Sequence, residues 1–244
     1  EQRKKRVASG TPVDAALWQQ FAELGWLGLP FAQDDGGFGA GVAELSLLMR
    51  ELGRHLVVEP FAETVIMAGE IVSSGASSAL KAELISGIME GRTQVAVALA
   101  EPDSRYELQR VATMARSSGE DFILNGRKAV VTNAAGADLL IIPARTLGEV
   151  ADEGGITLFG VPAKAAGVTI SAYRLNDDHH AGDVTLNDVA VSRSHVFGEV
   201  GGALDLLERA VDKATICNCA EAVGAMEQIM DMTAEYLKTR VQFG

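Results

Sequence analysis

Positions 203–239 read as one uninterrupted helix, and this feature limits what the chain can fold into more than any other. The stretch contains no proline and one glycine, Gly224, and at about 1.5 Å per residue such a helix runs for roughly 55 Å. A helix of that length draws its stability from packing rather than from propensity. Its apolar positions Leu207, Val211, Ala214, Cys217, Ala220, Val223, Met226 and Met230 form a broad stripe, which calls for partner helices. The expectation is that this chain does not contain them, and that sequence beyond Gly244, together with other subunits, supplies them.

The first ninety or so residues are also helical in pattern. Apolar residues recur at spacings of three and four: Leu17, Phe21 and Leu24; Leu45, Leu48, Met49 and Leu52; Leu80, Leu84, Ile85 and Ile88. Ser77 or Ser78 is placed to cap the last of these helices and Gly91 to end it. Positions 25–41 hold six glycines and Asp34-Asp35, a composition that reads as a loop. After Gly91 the period falls to two and β-branched residues rise, in 94–99, in Phe122-Ile123-Leu124, in 129–132, in 139–142 and in 184–191. Short strands separated by turns predict an antiparallel barrel or sandwich. Asn125-Gly126 between two such runs predicts a tight hairpin, because a type I′ turn needs positive φ at both central residues.

Composition removes several function classes. The 244 residues are 48% hydrophobic, enough for a large core, and with 8 Phe, 3 Tyr and 2 Trp that core must be built from Ala, Leu, Val and Ile. A net charge of −12 argues against a surface that tracks nucleic-acid phosphates. No apolar run reaches the ~20 residues of a membrane helix, and Glu1-Gln2-Arg3-Lys4-Lys5-Arg6 has no apolar segment behind it to form a signal peptide. Cys217 and Cys219 lie one residue apart in a helix and are poorly placed to bridge each other. A cytoplasmic protein with no membrane insertion is expected.

The chemistry-bearing motifs are weak one at a time. His179-His180 beside Asp177-Asp178 lacks a third His or Cys at ligand spacing, so no metal is assigned. His55 and His195 are isolated. There is no G-x-S-x-G elbow, no G-x-G-x-x-G and no Walker A loop. Glu101-Pro102 after a strand is, by itself, a strand end. Arg240-Val241-Gln242-Phe243-Gly244 suits a phosphate-bearing partner, and equally suits a basic helix end facing the dipole.

Their order is more informative. A helical region, then Ala98-Leu99-Ala100-Glu101-Pro102, then Leu124-Asn125-Gly126-Arg127-Lys128-Ala129-Val130-Val131-Thr132-Asn133, then Val184-Thr185-Leu186-Asn187-Asp188-Val189-Ala190-Val191, then a long helix ending in Arg240-x-Gln242-Phe243-Gly244 closely resembles the acyl-CoA dehydrogenase family over nearly the whole chain. Glu221-Ala222-Val223-Gly224-Ala225-Met226 and Glu235-Tyr236-Leu237-Lys238-Thr239-Arg240 look most like the small subunit of pimeloyl-CoA dehydrogenase-type heteromers.

The resemblance implies an α+β multidomain fold, with an N-terminal helical domain (1–92), a middle antiparallel β-barrel or sandwich (93–198) and the first helix of a C-terminal helical bundle (199–244). It implies FAD as cofactor, an acyl-CoA substrate oxidised to a trans-2-enoyl-CoA, an electron-accepting flavoprotein, and assembly as a homo-oligomer or as a heteromer with a related large subunit. By resemblance Leu99 and Ala100 approach the flavin pyrimidine edge, Val130, Val131 and Thr132 lie along its ring with the Thr132 hydroxyl at N5, and Arg240 and Gln242 reach the neighbouring subunit's pyrophosphate. The catalytic base of such enzymes belongs to sequence beyond Gly244, so none is assigned.

Four departures thin the substrate side. Ala100 stands where the family has Thr or Ser before Glu-Pro, and Asp103-Ser104-Arg105-Tyr106 replaces its Gly-Ser-Asp. Val130 stands for the flavin-covering Trp, and Thr215 for a helix Arg near the CoA cleft. Two alternatives therefore stand beside the enzyme: a non-catalytic subunit that completes a partner's FAD site, and a flavin monooxygenase on the same fold.

Overall fold

The computed structural model describes residue 8 and residues 10–242, so Glu1–Arg6 and Phe243-Gly244 lie outside it. Helix α1 (Ala15–Glu23) starts where the Asp14 carboxylate accepts the amides of Ala16 and Leu17, and it buries Trp18 and Phe21. Leu24, read as part of its stripe, falls beyond the last turn and is exposed. The glycine-rich 25–41 segment is a loop broken by two single 3₁₀ turns. Helix α2 (Val42–Arg54) buries Leu45, Met49 and Leu52, and its N3 residue Glu44 accepts the Gly41 amide. A π-helical segment (Ala62–Met67) runs straight into helix α3 (Ala68–Gly75). The sequence reading does not pick out this element, because Phe61, Thr64, Val65, Ile66, Ala68, Ile71 and Val72 are all buried, which leaves only the narrow polar face of Glu63, Glu70 and Ser74 to reveal a period. Helix α4 (Ser78–Met89) follows Ser77 and gives way to Gly91 at φ +70°, as read.

Among the described residues eight strands form one sheet: β1 (Val95–Val97), β2 (Met114–Ser118), β3 (Asp121–Thr132), β4 (Leu139–Arg145), β5 (Ile156–Pro162), β6 (Val168–Arg174), β7 (His180–Val191) and β8 (Val196–Phe197). The order is β6-β7-β3-β2-β4-β5-β8, and the pairing is antiparallel except along one edge of β4. There β1 lies parallel against Leu139, Leu140 and Ile141, and β2 rejoins in parallel at Arg145.

The predicted hairpin at Asn125-Gly126 does not form. The turn is Gly119-Glu120, which joins β2 to β3 with Ser118 opposite Asp121 and Gly119 at φ +66°. Asn125-Gly126 instead continues β3. The Asn125 side chain donates to the Asp188 carboxylate and accepts its amide, both at 2.9 Å. Gly126 is needed for a different reason, since a Cβ there would press into Thr113 at 2.6 Å. Both residues pay their conformational role into strand packing, which a turn rule based on two residues does not see.

Period-two alternation divides the core. Val95, Val97, Leu139 and Ile141 face the helices, while Ala96, Ala98, Leu140 and Ile142 face the interior of the curled sheet. Helix α5 (Leu204–Thr239) is the long helix, and it does find partners within this chain, against expectation. Its buried residues Leu206, Leu207, Ala210, Ala214 and Cys217 join the helical core. It crosses α2 at two glycines: a Cβ on Gly53 would overlap the Glu221 carbonyl, and one on Gly224 the Arg50 carbonyl. Arg50 clamps the crossing through a two-pronged bond to Glu227 at 2.8 and 2.7 Å. Past it, Ile229, Met230, Met232 and Leu237 are exposed. Gly224→Ala should lower stability by about 1–3 kcal/mol, as overpacking does, read from the urea midpoint at constant m. An unchanged midpoint would mean that the helices are not in this close contact.

Candidate functional site

After Ala98, whose amide still donates to the Ile141 carbonyl, the chain leaves the edge of β4, and it returns at Thr113 and Met114. The excursion is anchored by Glu101, a buried carboxylate. It accepts the Lys128 ammonium at 2.8 Å and the amides of Ala112 and Thr113 at 2.7 and 3.0 Å. Lys128 is fully buried on β3. Burial alone would raise the Glu101 carboxyl, but the charge and hydrogen bond of Lys128 and the two amides outweigh it and hold it below its ordinary value. The Ser104 hydroxyl closes the turn by accepting the Glu101 amide at 2.9 Å. The far side of the excursion is held by Arg145, whose buried guanidinium donates to the carbonyls of Gln109, Val111, Val150, Asp152 and Gly154.

These anchors set two short segments side by side. The Ala129 amide donates to the Ala100 carbonyl at 2.8 Å, which ties the segment holding Leu99 and Ala100 to β3 just before Val130, Val131 and Thr132. Val131 points into the sheet interior and is buried, so only its backbone can face outward. Val130 is 53% exposed and adopts φ +52°. Arg240 and Gln242 are elsewhere. Glu221 on α5 shares a cavity with Thr132, and Arg240 follows 19 residues later, roughly 28 Å further along the helix direction. Arg240 is exposed and lies over the Tyr236 ring at 5.0 Å.

Thr132 opens onto a cavity of about 560 Å³ between α2, the π-helical segment, α5 and the loop before β7. Its walls are mostly apolar, among them Met49, Leu52 and Phe61, with Glu59, Glu63, Asp177, His179 and Glu221 as ionisable groups. His179 lies 3.3 Å from the Asp177 carboxylate. Burial pushes the Glu63 carboxyl up, against its own backbone amide, the charge of His179 and the Thr132 hydroxyl. Burial raises Glu221 as well, and the Glu63 charge adds to it.

The sequence offers no signal for Glu63, which sits in unremarkable helical surroundings, and Glu221 stands in it only as part of the 221–226 resemblance, with no role of its own. His179 was weighed only as a metal ligand. Among the described residues no group of three His, Cys, Asp or Glu could hold a metal ion. Lys128 was in view as part of the strand motif, but a Lys between Arg127 and Ala129 reads as solvated until its partner is known.

Residues 2–92 match the family model described as acyl-CoA dehydrogenase, N-terminal domain, and residues 96–189 the one described as acyl-CoA dehydrogenase, middle domain. Acyl-CoA dehydrogenase FadE12 of Mycobacterium tuberculosis is 28% identical over 92% of this chain and 58% of that protein. The mitochondrial isovaleryl-CoA dehydrogenase of Pongo abelii is 26% identical over 93% of this chain and 55% of its own length. Butyryl-CoA dehydrogenase from Megasphaera elsdenii superimposes with a TM-score of 0.87 at 26% identity, covering 95% of this chain and 63% of that one. The chain thus spans about three fifths of the length of these relatives.

A carboxyl with a raised folded pKa binds its proton more readily in the native state, so its contribution favours folding at low pH and is lost as pH rises through the folded value. Glu63→Gln should therefore raise the thermal midpoint at about pH 8, with the gain shrinking towards about pH 5. A gain of equal size at both pH values would show that Glu63 is not desolvated.

Proposed function

Given that the chain belongs to the acyl-CoA dehydrogenase family, we propose that it forms the flavin edge and part of the acyl pocket of an FAD-dependent enzyme oxidising an acyl-CoA to a trans-2-enoyl-CoA. The observation that carries this reading is the Ala129–Ala100 backbone bond, which ties the 99–100 segment to the strand that carries Val130 and Val131 on to Thr132 at the cavity wall. The residues suit a flat ring. Two alanines, Ala100 and Ala129, leave room beside the exposed Val130 side chain, and the Thr132 hydroxyl stands at the cavity wall. When bound, FAD supplies the hydride acceptor.

The chain's own residues position and exclude. The buried Glu101–Lys128 pair fixes the edge, and Met49, Leu52 and Phe61 keep water from the acyl group. Arg240 and Gln242, remote from this edge, are read as contacts to the pyrophosphate of FAD bound mainly by another subunit. We read 1–92, 93–198 and 199–244 as the helical, sheet and bundle domains, and an electron-accepting flavoprotein as the oxidant. No helix among the described residues is long and apolar enough to cross a membrane, and we place the protein in the cytoplasm.

One observation favours a second reading. Thr215, at the position where relatives carry a cleft arginine by resemblance, bonds back to the Val211 carbonyl at 2.8 Å and offers no cation. A subunit that completes a partner's FAD site without turning over substrate would need none.

The test is a flavin titration of the full-length protein, followed by anaerobic addition of acyl-CoA. The enzyme reading expects flavin to bind and then to bleach, and the second reading expects bleaching only when the partner subunit is present. A protein that binds no flavin in either state would overturn both. Arg240→Ala, which removes a charge-assisted contact, should weaken flavin binding by about tenfold or more. Unchanged affinity would remove Arg240 from the site.

A further inference from the structure

Val130 stands in a conformation that valine rarely adopts. In the pairing of β3 with β7, Lys128 faces Val184 and Val131 faces Gly182, so Ala129 and Val130 together oppose the single residue Asp183. This is a β-bulge with its extra residue on β3. At φ +52°, Val130 occupies the left-handed region that favours glycine. A β-branched side chain there is strained, and such strain persists only where its surroundings over-determine it.

The surroundings here are one carboxylate. Asp183 accepts the Val130 amide at 3.2 Å, the Tyr173 hydroxyl at 2.9 Å and the Arg127 guanidinium at 3.0 Å. The residue opposite the bulge thus receives the very amide that the bulge removes from the ladder. Tyr173 on β6 and Arg127 on β3 grip the same carboxylate from its two flanking strands. The bulge turns Val130 outward while Val131 stays in the core and Thr132 reaches the cavity.

We propose that Asp183 is a positioning residue, whose carboxylate holds the strained Val130 bulge in the shape that presents Val130 and Thr132 to the flavin ring. The inference rests on the flavin-site reading above. It assigns the role to a residue outside the cavity lining that reaches the edge only through the Val130 amide.

The test is a double-mutant cycle in the full-length protein with two readouts: the FAD dissociation constant, and hydrogen exchange of the Val130 and Val131 amides without flavin. Asp183→Ala should speed exchange at those amides and weaken FAD binding by at least about tenfold, because the bulge relaxes out of the left-handed region. In a Val130→Gly background the same change should cost less than about threefold, since glycine holds the conformation without the clamp. Asp183→Asn, which keeps an acceptor oxygen, should fall between wild type and Asp183→Ala. Equal losses in both backgrounds would overturn the proposal, as would faster exchange with unaltered FAD affinity. If the wild-type protein binds no FAD, the flavin reading fails, while the exchange data still decide whether Asp183 holds the bulge; unchanged exchange would overturn the clamp itself.

Discussion

The buried pair of Glu101 and Lys128 is the interaction on which the candidate site depends. A lysine ammonium with no exposed surface, in the middle of a strand, is tolerated only with its charge matched and its protons bonded. Glu101 matches the charge and accepts one ammonium proton at 2.8 Å while also accepting two amides from the returning chain, and burial still holds the lysine below its ordinary value against that pairing. One carboxylate therefore ties three segments together: the end of the first strand, the approach to β2 and the centre of β3. Through the Ala129–Ala100 bond, that junction sets the spacing of the edge at which the flavin is proposed to lie.

A second constraint is the crossing of α5 over α2. Two glycines let the backbones meet, and Arg50–Glu227 and Arg54–Asp231 lock the register on the outer side. The crossing puts Glu221 opposite the π-helical segment that carries Glu63, and so creates the cavity. Beyond it α5 runs on with Ile229, Met230 and Leu237 in the open. Helical packing here makes the pocket, and sheet packing makes the edge beside it.

Much of this was legible in the residues. The long helix, the glycine-rich loop and helices α2 and α4 follow from periodicity, because each has one apolar face and one polar face. The π-helical segment and α3 escaped, since burial on nearly every side erases the period that such reading needs. Strands β5 and β6 escaped because Gly160 and Pro162 interrupt one and the other is mostly exposed. Asn125-Gly126 misled for a related reason: the Asn side chain spends its hydrogen bonds on Asp188, a residue 63 positions away. The edge residues Leu99, Ala100, Val130, Val131 and Thr132 were named from resemblance. The groups that hold them, Lys128, Arg145 and Asp183, act through partners distant in sequence, and no local pattern marks them.

The central claim is that a buried ion pair sets the flavin edge. Lys128→Met, which keeps the bulk of the side chain and leaves the Glu101 carboxylate without its cation, tests this claim most directly when unfolding free energy and FAD affinity are measured on the same sample. The account predicts a loss of about 3–5 kcal/mol in stability, as for a buried pair stripped of one partner, together with weakened FAD binding under conditions where the variant is still folded. Stability within about 0.5 kcal/mol of wild type, or full FAD affinity in a destabilised but folded variant, would contradict it.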